Sequence, residues 1–282
     1  MALVTTTQVR DISGVPTSLI DDTQLGRIID EVQEKTLTYF NVHTTPTQIL
    51  EIRDGNGKNQ IRVNRPFIWK LTDLQVRINT SETTTIDIED TNIDPYSGII
   101  SLRTFAGTPY LGSSYFYAYP NSVRIKYLSA FMEKTTTITE TTAATTAGTS
   151  VAIAVDSETG FASDDWVLIE GLDGNREAAK VTATASQEIT VDSLDQTHES
   201  GSVITLLQTH ELLTQYVLYE SAVSSAINAV GGTFTIATSY SYPEYTITKG
   251  VPYPHWQKNA ELNEKQRDKI KNLIWNKLNS VS

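Results

Sequence analysis

The chain has 282 residues, a formal net charge of −11 and no cysteine, with 39% hydrophobic and 20% charged residues. This length and composition predict a folded protein with a sizeable core and room for two domains. The lack of cysteine excludes disulfides, thiolate zinc sites and cysteine nucleophiles, and the acidic charge argues against a protein that wraps nucleic acid, because phosphate neutralisation requires Lys and Arg in excess.

Secretory and membrane-spanning classes are not expected from the sequence. The N-terminal residues MALVTTTQVRD lack the basic and apolar regions of a signal peptide. No apolar run approaches the roughly 18 residues that span a bilayer. We therefore expect neither a cleaved signal nor membrane insertion.

The first strong pattern in chain order predicts an amphipathic helix over residues 22–40. Asp21 or Asp22 can cap its start, since short acidic side chains accept hydrogen bonds from free backbone N–H groups. Charged side chains lie mostly on one side of this helix. The other side carries apolar residues at three-and-four spacing, namely Leu25, Ile28, Ile29, Val32 and Tyr39 or Phe40.

Residues 48–131 change to period-two alternation and turn chemistry, which predict an antiparallel sheet. The turns contain Gly55 and Gly57 in RDGNG and Ser97 with Gly98 in DPYSG, and the first is interpreted as a hairpin turn. The strand candidates are residues 49–52, 61–63, 74–78, 86–88, 99–102 and 123–127.

A Thr-rich segment over residues 135–208 repeats this β pattern with smaller side chains. Its short strands recur roughly every 8 to 12 residues, with Gly or Asp between them, as in a compact β-barrel or sandwich. We interpret this segment as an inserted β domain. The rest of the chain, residues 1–134 and 209–282, would then form the core domain into which this segment is inserted.

The C-terminal part begins with a long helix that Thr209 can cap and that Gly231 and Gly232 end. A Tyr- and Pro-rich extended stretch follows over residues 233–256. The last element is a helix with an apolar stripe and the chain's one concentration of Lys and Arg. The stripe comprises Leu262, Ile270, Leu273, Ile274 and Leu278, and the cations are Lys265, Arg267, Lys269, Lys271 and Lys277. The sequence therefore predicts an α+β protein: a helical core with an antiparallel β region, plus an inserted small β-barrel or sandwich domain.

Catalytic and metal-binding patterns are weak throughout the chain. The four histidines, His43, His198, His210 and His255, are scattered, and none has the second His that a zinc-protease helix requires. The RDGNGKNQ stretch matches a calcium loop only in its first three positions. A structural interpretation is favoured for both patterns.

Clustered acids are the one feature that could support glycoside cleavage or the binding of a divalent ion. Such acids more often solvate a surface or cap a helix, so the sequence predicts no enzyme, no metal and no cofactor. The clusters are Asp21 with Asp22, Asp87 with Glu89 and Asp90, and Asp164 with Asp165.

Partner docking is predicted for the aromatic stretch and the basic helix, because Tyr and Trp anchor interfaces at low entropic cost. Two alternatives stay open: the stretch could pack on its own sheet, and the basic helix could simply face solvent. The candidate docking residues are Tyr240, Tyr242, Tyr245, Tyr253, His255, Trp256, Lys269, Ile270, Leu273, Ile274 and Trp275.

The order of these elements resembles that of the head-tail connector, or head-completion adaptor, family of tailed bacterial and archaeal viruses. The matching segments are LIDDTQLGRIIDEVQEKTLTYF, TQILEIRDGNGKNQIRVNRPFIWKLTDLQVRIN, IDPYSGIISL, NSVRIKYLSAF and HELLTQYVLYESAVSSAI, and PHWQKNAEL with IKNLIWNKL resembles the closing helix. Ser129 and Ala130 stand where the family often has an aromatic residue and glycine. The insertion is absent from the smallest members.

The resemblance implies a virion structural protein that forms a homo-oligomeric ring of about twelve copies. Such a ring lies beneath the portal in the virion neck, joins capsid to tail and lets DNA pass. The implied partners are the portal protein, tail-completion or stopper proteins and, transiently, viral DNA, with no membrane. Assembly would take place in the host cytoplasm.

Two other functions stay open at this point. The β insertion could be a glycan-binding module of a virion fibre or adhesin. The hypothesis that the chain is a carbohydrate-active enzyme is supported only by the clustered acids.

Overall fold

The computed structural model describes residues 3–77, 83–103, 115–172, 174–229, 241–242, 245–246 and 254–279. The chain divides into two compact units. A helical unit combines both ends of the chain, Met1–Asn41 and Glu211–Ser282, and a β unit comprises Val42–His210.

The helical unit is built from α1 (Thr6–Ser13), α2 (Asp22–Phe40), α3 (Glu211–Ala229) and α4 (Pro254–Asn279). The predicted helix over residues 22–40 is confirmed as α2. Asp21 caps it by accepting a hydrogen bond from the backbone N–H of Gln24 at 2.7 Å, and Asn41 ends it in the left-handed conformation.

The core of the helical unit lies between α3 and the other helices. Leu25, Ile29 and Val32 of α2 are buried together with Val217 and Ala226 of α3. The short helix α1, which the sequence patterns did not predict, is held at its start by a capping box between Thr5 and Gln8. A two-residue hairpin, β14 (Ser241–Tyr242) with β15 (Tyr245–Thr246), lies between α3 and α4 in the chain.

The β unit contains three antiparallel sheets. The first has the order β1-β7-β3-β4 and the second the order β2-β6-β5. Their strands are β1 (Thr47–Arg53), β2 (Gln60–Arg62), β3 (Ile68–Arg77), β4 (Thr83–Thr85), β5 (Thr91–Asp94), β6 (Ile99–Leu102) and β7 (Val123–Ser129). One buried cluster joins the two sheets and includes Leu71, Leu74, Ile100, Phe116 and Ile125.

The third sheet has six strands in the order β8-β13-β10-β11-β12-β9. They are β8 (Met132–Glu140), β9 (Gly148–Ala154), β10 (Trp166–Glu170), β11 (Arg176–Ala185), β12 (Glu188–Leu194) and β13 (Val203–Thr209). The sheet curls until its two edge strands meet, where Asp156 N–H donates to the Glu140 carbonyl at 3.0 Å and Thr142 N–H to the Ala154 carbonyl at 2.9 Å. We call this element the barrel. Its interior is apolar, with Ile153, Val167, Val181, Ile189 and Ile204.

The predicted helical core is wrong. Among the described residues, more lie in strands than in helices: thirteen antiparallel strands form the three sheets, and the four helices come from the ends of the chain. The physical reason is that apolar side chains alternate with period two over most of the interval between α2 and α3, and sheet faces bury that pattern whereas helices do not. The domain boundaries 1–134, 135–208 and 209–282 stay a prediction.

Two local predictions also need correction. RDGNG does not form a hairpin turn, because β1 pairs with β7 and β2 pairs with β6 in another sheet. Residues 86–88 are not a strand, since a single 3-10 turn, Ile88–Asp90, follows β4. Thr209, the predicted cap of α3, lies at the end of β13, and its hydroxyl donates to the Thr44 carbonyl at 3.4 Å.

Gly55 and Gly26 give a matched pair of substitutions. A Cβ at Gly55 would lie 1.7 Å from the Tyr117 carbonyl oxygen, whereas a Cβ at Gly26 in α2 meets nothing within 4 Å. We expect Gly26→Ala to raise the free energy of unfolding by about 0.5 to 1 kcal/mol, since alanine favours the helix. Gly55→Ala should lower it by about 1 to 3 kcal/mol, because the backbone must shift. Urea unfolding of the full chain measures both, and equal effects would contradict this packing.

Candidate functional site

The C-terminal helix α4 carries most of the described docking candidates, and its inner face is part of the helical unit's own packing. Ile270 and Ile274 are buried. The Trp275 ring lies 5.5 Å from Phe40 and 5.9 Å from Tyr39, between ring centroids. These three predicted docking residues therefore hold α4 in place, and a partner could reach only the opposite face.

The outer face of α4 presents an exposed row of Leu262, Lys269 and Leu273. Spacings of seven and four residues bring these side chains onto one side of a helix. The sequence predicted an apolar stripe that joined Leu262 and Leu273 to Ile270 and Ile274. In the structure the stripe is split, with its two isoleucines inward and two of its leucines outward.

The remaining docking candidates fall in other positions. Tyr240 and Tyr253 lie outside the described residues. Tyr242 and Tyr245 are paired across the β14–β15 hairpin, and His255 and Trp256 lie in the first turn of α4.

Arg267 ties α4 to α3 through an ionic network. Its guanidinium lies 3.1 Å from Glu220 of α3, 3.2 Å from Glu264 and 2.8 Å from Asp268. Lys271 lies over the Tyr39 ring at 4.9 Å. Arg267 and Lys271 are thus bound within the helical unit. Lys269 is the cation of the outer row.

A cleft of about 340 Å³ lies between α2 and α3. Its polar lining includes Glu31, Lys35 and Glu220, and Glu31 is already bound to Lys35 at 2.5 Å. Burial, helped by the charge of Glu220, raises the pKa of Tyr216 in this cleft to about 12. The tyrosine therefore stays protonated at neutral pH, and the cleft offers hydrogen bonds rather than a nucleophile.

A buried ionic cluster in the β unit was not predicted from the sequence. Lys70 of β3 projects from the four-stranded sheet to Glu177 of the barrel, with 3.1 Å between Nζ and Oε2, and to Asp195 at 3.3 Å. Glu177 is only 1% exposed. Its other oxygen lies 3.0 Å from His198 Nε2.

Each carboxylate oxygen of Glu177 has two donors. Oε2 accepts from Lys70 and from the Asp195 backbone N–H at 2.8 Å, and Oε1 accepts from His198 and from the Gln196 backbone N–H at 2.8 Å. Burial opposes ionisation of Glu177, but these hydrogen bonds and the Lys70 charge together lower its pKa below the ordinary 4.5. A carboxylate so fully engaged has little capacity to act as a base, and the arrangement is that of a structural ion pair.

The only sequence signal for this cluster is Lys70 within the apolar run FIWKL. A lysine there must either turn outward or be neutralised by a carboxylate. Nothing in the local pattern identifies Glu177, which follows Lys70 by more than a hundred residues. Burial raises the pKa of the neighbouring Asp195.

Several of the clustered acids and histidines make contacts within the part of the chain that the structure describes. Asp164 binds Lys180 at 2.6 Å, and Asp165 accepts from the Ala162 N–H at 2.8 Å. His210 stacks on Phe131 with 4.7 Å between ring centroids. Among the described residues, no three His, Asp or Glu side chains are grouped to hold a metal ion, and no helix is long and apolar enough to cross a membrane.

Comparison with protein-family models gives no match to this sequence, and comparison with curated proteins gives none either.

Removal of Lys70 tests the ionic cluster. We expect Lys70→Met to lower the free energy of unfolding by about 3 to 5 kcal/mol, because Glu177 stays buried without its cation. Lys58→Met in the connection between β1 and β2 is the matched control, because Lys58 is exposed, and the expected change is within about 0.5 kcal/mol. Urea unfolding of the full chain measures both. A loss in Lys70→Met no larger than in the control would show that the cluster does not stabilise the fold.

The lowered pKa of Glu177 predicts a pH dependence. A carboxyl whose pKa is lower in the folded state contributes stability above its unfolded pKa near 4.5, and this contribution is lost as the pH falls through the folded value. We expect Glu177→Gln to flatten the fall in stability between about pH 5 and about pH 3. Urea midpoints across this range measure the slope. Unchanged slopes in the variant and the wild type would contradict the assignment.

Proposed function

We propose that this chain is a virion structural protein that acts as a head-to-tail adaptor. In this proposal several copies form a ring below the portal, join the capsid to the tail and leave a passage for DNA. The proposal rests on the resemblance in element order to the connector family. The observation that carries it further is the distribution of charge along the chain.

The acidic charge is concentrated in one element. Residues 132–210, which contain the barrel, carry thirteen acidic and three basic side chains, so they account for −10 of the net −11. The preceding part of the β unit, residues 42–131, has nine basic and eight acidic side chains. An acidic surface repels phosphate. Barrels directed toward a channel would therefore let DNA slide without binding it.

Attachment to the portal is assigned in this proposal to the outer row of α4. Leu262 and Leu273 are exposed leucines on one helix face, with Lys269 between them. An amphipathic helix of this kind fits an apolar groove with an acidic rim. The inner face of α4 is not available for this contact, because Ile270 and Ile274 are buried.

A glycan-binding function is the second candidate, and one observation favours it. Tyr115 and Tyr119 are exposed, and the Tyr119 ring is stacked on Tyr117 with 6.4 Å between centroids. Flat aromatic faces at a surface are suited to the apolar face of a sugar ring. These tyrosines precede the barrel, so the binding surface would differ from the insertion that the sequence indicated.

The α4 row gives the test of portal attachment. We expect Leu262→Glu with Leu273→Glu to weaken capture of the full chain by purified portal rings at least tenfold, since two apolar anchors are replaced by charges, a loss of about 1.4 kcal/mol or more. Leu172→Glu in the β10–β11 turn is the matched control, because Leu172 is 79% exposed and lies on the barrel. It should bind as the wild type does.

Two outcomes would contradict the adaptor proposal. The first is wild-type protein that portal rings do not capture at any concentration that remains soluble. The second is specific binding to a glycan array that is lost in Tyr119→Ala, which would favour the second candidate instead.

A further inference from the structure

The four-stranded sheet has one face in the core and an opposite face that is partly open. On the open face, β1 presents Leu50 and Ile52, which are 53% and 59% exposed. Each stands directly opposite a cation of β7, since Ile52 pairs with Arg124 and Leu50 with Lys126. We call these four residues the sheet patch. Strand β1 is an edge of its sheet, a position that often pairs with other chains.

The cations of the sheet patch have no ionic partner within the described residues. Neither Arg124 nor Lys126 has a carboxylate within 4.0 Å there. Arg124 donates to the Gln75 side chain at 3.5 Å, and Asp73 stands opposite Lys126 in the strand register. The patch is therefore an apolar pair rimmed by two cations that could still gain an acidic partner.

The barrel carries a surface of opposite charge. Ile138 on the edge strand β8 is 63% exposed, and Glu140 lies two residues on, on the same face of the strand. Asp156 is exposed beside it, and its N–H donates to the Glu140 carbonyl. We call Ile138 and Glu140 the barrel patch. It combines an exposed apolar side chain with the acidic charge of the barrel.

The chain already contains one contact of this type. Lys70 lies on the same sheet face as the sheet patch, since it pairs with Leu128, two residues from Lys126 on β7. It is bound there by Glu177 and Asp195 of the barrel. One part of the sheet face is thus covered by barrel acids of its own chain, and the part with Leu50 and Ile52 is not. Both patches belong to the same compact unit and both stay exposed there. They therefore do not bind each other within one chain.

We propose that the sheet patch of one copy binds the barrel patch of a second copy. The two patches are complementary in charge, and each offers an exposed aliphatic side chain to the other. Because they are different surfaces, the contact is head-to-tail, and repetition closes a ring or extends a filament. This contact rests on the proposed function, because it would be the interface between subunits of the proposed ring. It can be tested without knowing where the chain lies in a virion.

The test is a complementation experiment with the full chain, read by native mass spectrometry and sedimentation velocity. The sheet variant is Ile52→Glu with Arg124→Glu, and the barrel variant is Ile138→Lys with Glu140→Lys. We expect wild-type protein to self-associate, and more weakly as salt increases. Each variant alone should associate about a hundredfold more weakly, because like charges then oppose each other. Lys265→Glu on α4 is the charge-change control and should associate as wild type does.

The mixture of the two variants decides the geometry. The sheet variant keeps an intact barrel patch and the barrel variant keeps an intact sheet patch, so an equimolar mixture should associate again, at least as dimers of one copy of each. The two altered patches are also opposite in charge, acidic on the sheet variant and basic on the barrel variant, so larger alternating species can follow. Formation of this dimer also shows that both variants are folded.

Several results would overturn the interface. They are wild-type protein that stays monomeric, variants that associate as wild type does, and a mixture without dimers. Association that persists in both variants would leave the proposed ring standing with another interface. A monomeric chain that portal rings still capture would reject the contact between copies but not the adaptor.

Discussion

The β unit depends on one buried charge and the four donors that satisfy it. Glu177 of β11 is only 1% exposed, and its oxygens accept from Lys70, His198 and two backbone N–H groups. An uncompensated carboxylate at that depth would cost several kcal/mol. Lys70 comes from the four-stranded sheet and Glu177 from β11, so satisfying this charge also fixes how the barrel lies on the sheet. Apolar packing alone would allow several such arrangements; a charge with four directed donors favours one.

The same chemistry explains how the chain can be strongly acidic and still present a cationic surface. Nearly all of the net charge belongs to the barrel segment, whereas the sheet region before it is close to neutral. Where barrel acids lie on the sheet within one chain, they neutralise Lys70. Arg124 and Lys126, farther along the same face, form no ion pair with a described barrel carboxylate. Charge separation of this kind favours association between copies, because an acidic element of one copy can complete the cationic face of another.

The sequence patterns were informative where a signal is local. The bounds of α2 follow from Asp21 as a cap and from apolar spacing on one helix, and β6 and β7 follow from alternation between turns. Prediction failed where the answer depends on distant partners. RDGNG has the composition of a hairpin, yet β1 pairs with β7, and the close approach of Gly55 to Tyr117 becomes visible only in the folded chain. The helical core was overestimated because long helices give stronger periodic signals than short strands.

Prediction of the candidate site was limited in the same way, because it also depends on contacts between distant parts of the chain. The stripe on α4 was recognised from its spacing, but which of its members face inward depends on the neighbouring helices. Ile270 and Ile274 are buried, whereas Leu262 and Leu273 are exposed. The partner of Lys70 is equally non-local, because the ion pair joins strands that are far apart in the chain. Local patterns identified the interface-prone residue types, and only the fold separates those that hold the unit together from those that remain open to a partner.

The location of the chain in a virus particle is the most direct test of the proposed function. Electron micrographs of particles carrying an epitope label on the Leu172 turn, averaged around the capsid vertex, would show the density of the label. The adaptor proposal predicts a ring of label in the neck, between the portal and the tail. Label confined to fibres, or absent from purified particles, would contradict it.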